Sequence, residues 1–254
     1  MDLQLAGRGA LVTGASAGIG VGIAECLARE GVRLVLAGRN RGALEAVAAR
    51  ATSLGAPFVI SVEGDVATEH GCAAVAAGAL EALGGRVDIL VNNAGGSRPL
   101  GGAEETEQFW EEAQALNFAS ARRITRPLLA PMKAAGFGRI VNITGALYGK
   151  SVNGAGAAKA ALVAWARALS FELAPHGITV NCVAPGRINS VQILERLHPT
   201  EQSREAYIRD NIPMGRFGEP KELGALVAFL ASPLAGYISG AHIPVDGAAV
   251  RIAV

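Results

Sequence analysis

Short aliphatic and β-branched runs alternate with longer amphipathic ones along all 254 residues. GALVTG (9–14) leads into a helical run ending near Gly31, and RLVLAG (33–38) precedes NRGALEAVAARATSLG. FVISVEGDV (58–66) precedes TEHGCAAVAAGALEAL, and VDILVNNAG (87–95) is followed by a loop and a long helix through Trp110 and Asn117. RIVNIT (139–144) leads to a helix carrying Lys159, ITVNCVAPG (178–186) leads to a looser segment, and AHIPVDG (241–247) closes the series. Strands this continuously apolar are buried on both faces, and the helical runs between them make parallel crossovers. The pattern predicts an α/β fold: a Rossmann-like, doubly wound parallel sheet of about seven strands with helices on both faces. No linker, repeat or change of composition divides the chain, so residues 1–254 read as a single domain.

Composition narrows the class of partner. A formal net charge of +1 gives no reason to expect nucleic acid or an anionic membrane. His70, His176, His198 and His242 show no helical pairing and none lies in a cysteine cluster, so no metal site is expected. Cys26, Cys72 and Cys182 are odd in number and widely spaced, which suits free thiols in a reducing compartment. The start, MDLQLAGRGALV, lacks a basic region followed by an apolar core, so no signal peptide is expected. LGALVAFLASPLAGYISGAHIPV (223–245) contains no Asp, Glu, Lys or Arg. Its Ser232-Pro233 break and scattered glycines make it a helix, a loop and a strand rather than a membrane span. A soluble, cytoplasmic protein is the expectation.

VTGASAGIG (12–20) places Gly14, Gly18 and Gly20 between the first strand and the first helix. The first glycine permits a tight exit from the strand, the second lets backbone approach a pyrophosphate, and the third lets the helix pack on the sheet. The helix N-terminus then offers unpaired N–H groups to phosphate. The second strand ends in LAGRN, with Arg39 and no Asp or Glu between 31 and 43. A carboxylate there would suit the ribose hydroxyls of NAD, whereas arginine suits the 2′-phosphate of NADP. An ordinary tight turn and a solvated surface arginine are the competing readings.

With these residues the chain resembles the short-chain dehydrogenase/reductase family nearly end to end, and within it the 3-oxoacyl-carrier-protein reductase-like branch. TGASAGIG (13–20) matches the family's cofactor loop, which implies contacts from Gly14, Ser16, Ala17, Gly18, Ile19 and Gly20. GDV (64–66) matches the segment that would bring Asp65 and Val66 to adenine. NNAG (92–95) implies Asn93, Ala94 and Gly95 along the adenosine ribose, and Asn117 matches the helix asparagine of the catalytic tetrad. PGRINS (185–190) implies Pro185, Gly186, Ile188 and Ser190 beside the nicotinamide carboxamide. The resemblance implies NADP(H) as preferred cofactor through Arg39, with NAD(H) possible, and a small carbonyl or alcohol substrate. It also implies a homotetramer or dimer, paired in part through a helix with Ala155, Ala158, Leu162, Trp165 and Leu169 in an apolar stripe. Segment 187–216 reads as a substrate lid.

The departure is in the chemistry. In the family a serine after the fifth strand steadies the carbonyl oxygen, and a tyrosine four residues before lysine exchanges its proton. The lysine holds the nicotinamide ribose and lowers the phenol's pKa. Alignment places Gly145 at the serine position and Ala155 at the tyrosine position, while Asn117 and Lys159 remain. Tyr148, eleven residues before Lys159, reaches the site only if its loop folds inward. Thr144 should point to the opposite face of the strand, and Ser151 and Asn153 stand where a helix cap is needed. A water held by Lys159 and Asn117 is another donor. General acid catalysis is typically worth ~10²–10⁴-fold, so its removal weakens turnover without abolishing what positioning supplies. Two functions follow. One is an NADP(H)-dependent oxidoreductase with an atypical proton donor. The other is a catalytically silent nucleotide-binding homologue, acting as a sensor or partner subunit. A lyase or dehalogenase would be expected to give up the glycines that are complete here.

Overall fold

The computed structural model describes residues 1–97, 106–145, 152–190 and 192–249. Seven strands form one parallel sheet: β1 (Gly9–Thr13), β2 (Arg33–Gly38), β3 (Val59–Glu63), β4 (Ile89–Asn92), β5 (Gly138–Ile143), β6 (Ile178–Pro185) and β7 (His242–Val245). Their spatial order is β3-β2-β1-β4-β5-β6-β7. The crossovers are α1 (Ile19–Arg29), α2 (Arg41–Ser53), α3 (Glu69–Ala82), α4 (Glu107–Gln114), α5 (Ser120–Ala135) and α6 (Gly154–Leu173). α7 (Glu201–Asn211) and α8 (Pro220–Ala231) lie between β6 and β7. The strand order reverses at β1 and β4, which opens a crevice beyond their carboxyl ends.

The alternation of side chains along each strand builds a core on each face. Ala10 and Val12 of β1 pack with Ile23 and Leu27 of α1, Leu44 of α2 and Val227 of α8. Leu11 points the other way, to Val75 of α3, Leu128 of α5 and Ala166 of α6. α1 and α8 approach through small residues. A Cβ on Gly22 would lie 2.6 Å from Pro220 Cβ, and one on Gly224 would lie 2.7 Å from Cys26 Sγ. Alternation along the strands thus sets one helix layer, α1, α2 and α8, against the other, α3, α5 and α6.

Two segments differ from the expected pattern. The long helix through Trp110 and Asn117 is two helices joined by a π-type turn, Ala115–Ala119. Asn117 Nδ2 donates to the Ala113 carbonyl at 3.0 Å, so a side chain is inserted where the regular ladder breaks. The segment after β6 is helical rather than loose, with a π-type turn at Gln192–Leu197 followed by α7. Its Ile193 packs with Ile212 and Phe217, beside Leu194, Leu197, Tyr207 and Ile208, in a core separate from the two sheet layers. Within 223–245 a helix, a 3-10 turn at Pro233–Ala235 and a strand replace any continuous span. Among the described residues no helix is long and apolar enough to cross a membrane.

Candidate active site

The cradle is built by close approach of backbone. Gly14 and Gly18 have φ of 64° and 55°, a region that side chains rarely adopt. A Cβ on Gly14 would lie 2.9 Å from Ala94 Cα, and one on Gly20 would overlap the Gly14 carbonyl. Gly18 caps α1 without a side-chain hydrogen bond, so the helix presents its first N–H groups to the crevice. Asn93 Nδ2 donates to the carbonyls of Thr13 (2.9 Å) and Gly14 (3.0 Å). Thr13 Oγ1 accepts from the backbone N–H of Asn93 and of Ala94, each at 3.0 Å, and donates to Val91. Thr13 and the Asn93 side chain thus hold the loop to the end of β4 and shape the cradle from behind. Thr13 carries no signal in the pattern beyond its place before Gly14.

Ser16, Ala17 and Ile19 follow on the same loop, with Ala17 exposed and Ser16 and Ile19 half-buried. Ser16 Oγ lies 3.2 Å from where a Cβ on Gly38 would stand, at the end of β2. The next residue, Arg39, is exposed and forms no ion pair among the described residues, whereas nearby Arg41 pairs with Glu45 at 3.0 Å. The Ser16 hydroxyl thus stands at the end of β2, one residue before the exposed Arg39. Asp65 is exposed, and one carboxylate oxygen accepts from the Ala67 N–H at 3.0 Å. Val66 turns its side chain into the core, which leaves only its backbone facing outward.

Lys159, Asn117, Gly95 and Gly145 converge beyond β4 and β5. A Cβ on Gly95 would lie 3.0 Å from Asn117 Oδ1 and 3.5 Å from Lys159 Nζ. Asn117 is buried, and its Oδ1 accepts from the Gly96 N–H at 3.0 Å. Lys159 Nζ donates to the carbonyls of Thr144 and Ile143, the latter at 3.5 Å. Burial pushes the pKa of its ammonium down to about 8. The atom nearest to where a Cβ on Gly145 would stand is Lys159 Cδ, at 3.7 Å. Ala155 is buried in the first turn of α6, where its N–H donates to the capping Asn153 side chain at 3.0 Å. Thr144 Oγ1 bonds the Val183 carbonyl and His242 Nε2, each at 3.1 Å, and so faces the sheet. Tyr148 and Ser151 lie outside the described residues.

The fourth wall is the exit of β6. Gly186 follows Pro185 so close to β7 that a Cβ would lie 2.7 Å from Asp246 Cα. Ile188 is buried and bridges to Gly218. Ser190 Cβ lies 3.0 Å from where a Cβ on Gly18 would stand, so this segment rests on the cradle loop. Pro185, Gly186, Ile188 and Ser190 are thus brought to the same crevice as the glycines, Asn117 and Lys159.

A glycine cradle at the switch point of a parallel sheet, with a desolvated lysine and a buried asparagine beyond the neighbouring strands, is the arrangement expected of a nucleotide-binding α/β site. Comparison with known proteins gives the family. Residues 14–248 match the family model described as enoyl-(acyl carrier protein) reductase. Nodulation protein G of Azospirillum brasilense is 38% identical, over 94% of this chain and 96% of its own length. The 3-oxoacyl-[acyl-carrier-protein] reductase FabG of Vibrio cholerae is 35% identical, over 96% of this chain and 98% of its own. L-sorbose reductase from Gluconobacter frateurii, solved with NADPH and L-sorbose, superposes with a TM-score of 0.93 at 30% identity and covers 99% of both chains. The chain belongs to the short-chain dehydrogenase/reductase family.

Proposed function

We propose that the protein is an NADP(H)-dependent oxidoreductase acting on a carbonyl or alcohol group, with a proton donor other than the family's tyrosine. The observation that carries the reading is the cradle with Lys159 and Asn117 facing it, beside a site where Gly145 and Ala155 offer no hydroxyl. Gly14, Ser16, Ala17, Gly18, Ile19 and Gly20 would hold the pyrophosphate, with Arg39 and Ser16 on the 2′-phosphate. Asp65, Val66, Asn93, Ala94 and Gly95 would line the adenosine. Lys159 would take the nicotinamide ribose, and Pro185, Gly186, Ile188 and Ser190 the carboxamide. The cofactor supplies or accepts a hydride at this place. NADPH in the sorbose reductase complex and NADP in that of Pseudomonas aeruginosa RhlG, 34% identical with a TM-score of 0.89, support the choice.

Lys159 holds a proton near the point of release at neutral pH, as an acid working there requires. Its two backbone acceptors fix the ammonium, and Asn117 fixes Gly96 beside it. A water between Lys159 and the substrate oxygen would pass the proton across the space that Ala155 leaves. Tyr148 is the other candidate, and Tyr148→Phe separates the two. Segment 187–216 acts as the substrate lid, and the protein works as a homotetramer or dimer in the cytoplasm.

The test is to put the missing groups back. Gly145→Ser with Ala155→Tyr should raise NADPH-dependent ketone reduction by at least ~10²-fold, as a positioned acid and an oxyanion donor return. Among the described residues, the nearest atom to a Cβ at position 145 is Lys159 Cδ at 3.7 Å, an ordinary contact. A double variant that binds NADPH yet reduces nothing across a broad ketone panel would overturn the reading. A second reading, a silent nucleotide-binding sensor or partner subunit, is favoured by the same Gly145 and Ala155. NADPH binding by the native protein without turnover of any carbonyl in the panel selects it.

A further inference from the structure

His198 stands between the Gln192–Leu197 turn and α7, and its ring faces back to the exit of β6. Arg187 Nε lies 3.3 Å from His198 Nε2. The Arg187 guanidinium also stacks over Tyr207, 4.8 Å from its centroid. The imidazole packs on Tyr207 at 4.5 Å and on Phe217 at 5.6 Å between centroids. Arg204 of α7 donates to the His198 carbonyl at 3.2 Å. The apolar packing of the segment is the small core of Ile193, Ile212 and Phe217 with the partly buried side chains around it. Elements with so little buried apolar area lie at the low end of a protein's local stability, so one polar contact weighs heavily.

The contact has a definite protonation state. Arginine Nε is only a donor, so His198 Nε2 must carry a lone pair and the ring must be neutral, with its hydrogen on Nδ1. Protonation removes the acceptor and sets an imidazolium against a guanidinium. Arg187 acts on the imidazole from the β6 exit and Arg204 from α7, with the Tyr207 and Phe217 rings completing its surround. Glu201 and Glu205 of α7 line the neighbouring cavity with Arg204 and Arg216. We propose that neutral His198 is a positioning residue that clasps the Gln192–Leu197 turn and α7 to Arg187, and that protonating it releases them. That the clasp governs access to the cleft rests on reading 187–216 as a lid; the clasp itself is readable without cofactor or turnover.

Burial, then Arg187 and Arg204, holds the His198 pKa below its usual value. Linkage then fixes the direction of the effect. The clasp is at full strength above the ordinary histidine value near 6.5, and weakens as pH falls from there through the lower folded value.

Hydrogen exchange of the ligand-free protein tests this. With intrinsic rates corrected, exchange across α7 should rise about tenfold between pH 7.5 and 5.0 in the native chain. His198→Gln keeps a neutral acceptor for Arg187, so its α7 should exchange slowly at both pH values. His198→Phe keeps the ring stacking without the acceptor, and its α7 should exchange fast at both. A flat native profile would overturn the proposal, as would a pH step that survives in His198→Gln or slow exchange in His198→Phe. The readout involves neither NADPH nor substrate, so a silent active site leaves the result intact.

Discussion

At the residue scale, the proposed preference for NADP(H) rests on one side chain. Arg39 follows the last residue of β2 without a carboxylate partner among the described residues, and the Ser16 hydroxyl stands at the end of that strand. A hydrogen bond to a charged group is worth about 1.5–3 kcal/mol, which is roughly 10–100-fold in affinity. Arg39→Ala should therefore weaken NADPH by that factor and leave NADH unchanged, as titration calorimetry would show. Equal affinities for the two cofactors in the native protein would remove the basis for NADP(H). Much at this scale was legible in sequence, because glycine identities report steric demands directly: Gly14, Gly18 and Gly20 meet backbone or Ser190 just where the motif requires. Thr13 was not legible, since a threonine ending a strand looks the same whether or not its hydroxyl bonds the neighbouring strand's exit. The partner of His198 was equally hidden, since the guanidinium it accepts from stands eleven positions earlier in the chain.

At the scale of elements, period predicts type well and interruptions poorly. All seven strands lie where their apolar runs predict, but burial on both faces holds for β1, β2, β4, β5 and β6, whereas β3 and β7 at the sheet edges are only partly buried. The π-type turn at Ala115–Ala119 was illegible, since it arises from Asn117 bonding to Ala113 and Gly96, one of them far along the chain. The helical character of 187–216 was missed because its apolar residues serve a small local core rather than a sheet face. Glycine substitutions test the packing between elements. Gly22→Ala would force a methyl into Pro220 and push α1 from α8, and overpacking of this kind costs about 1–3 kcal/mol. Gly78→Ala, inside α3, meets nothing closer than Val62 at 3.4 Å and should stabilise by about 0.5–1 kcal/mol through helix propensity. Denaturant unfolding of both variants checks the opposite signs. A neutral Gly22→Ala would mean that α1 and α8 can separate freely.

At the scale of the molecule, the exposed surface argues for assembly. The resemblance placed Ala155, Ala158, Leu162, Trp165 and Leu169 on a pairing stripe, but the first three are buried within the chain. The outward face of α6 instead carries Ala157, Ala160, Ala164, Arg167 and Ala168, ending in Phe171, which is 85% exposed. The two faces alternate so closely in an alanine-rich helix that periodicity alone does not say which one meets the sheet. A second apolar group follows α8, with Leu234 half-exposed and Tyr237 fully so. Small residues along a helix let another helix approach closely, and exposed aromatics favour the centre of an interface. Static light scattering at micromolar concentration should therefore give two or four times the 25.9 kDa chain mass. Phe171→Glu buries a carboxylate if this face pairs and should lower the measured mass, whereas on a free surface it changes nothing. Tyr237→Glu asks the same of the second group, and a tetramer built on both should fall to dimers with either change. A native protein that scatters as a single 25.9 kDa chain would overturn the assembly and leave Phe171 and Tyr237 as solvated side chains.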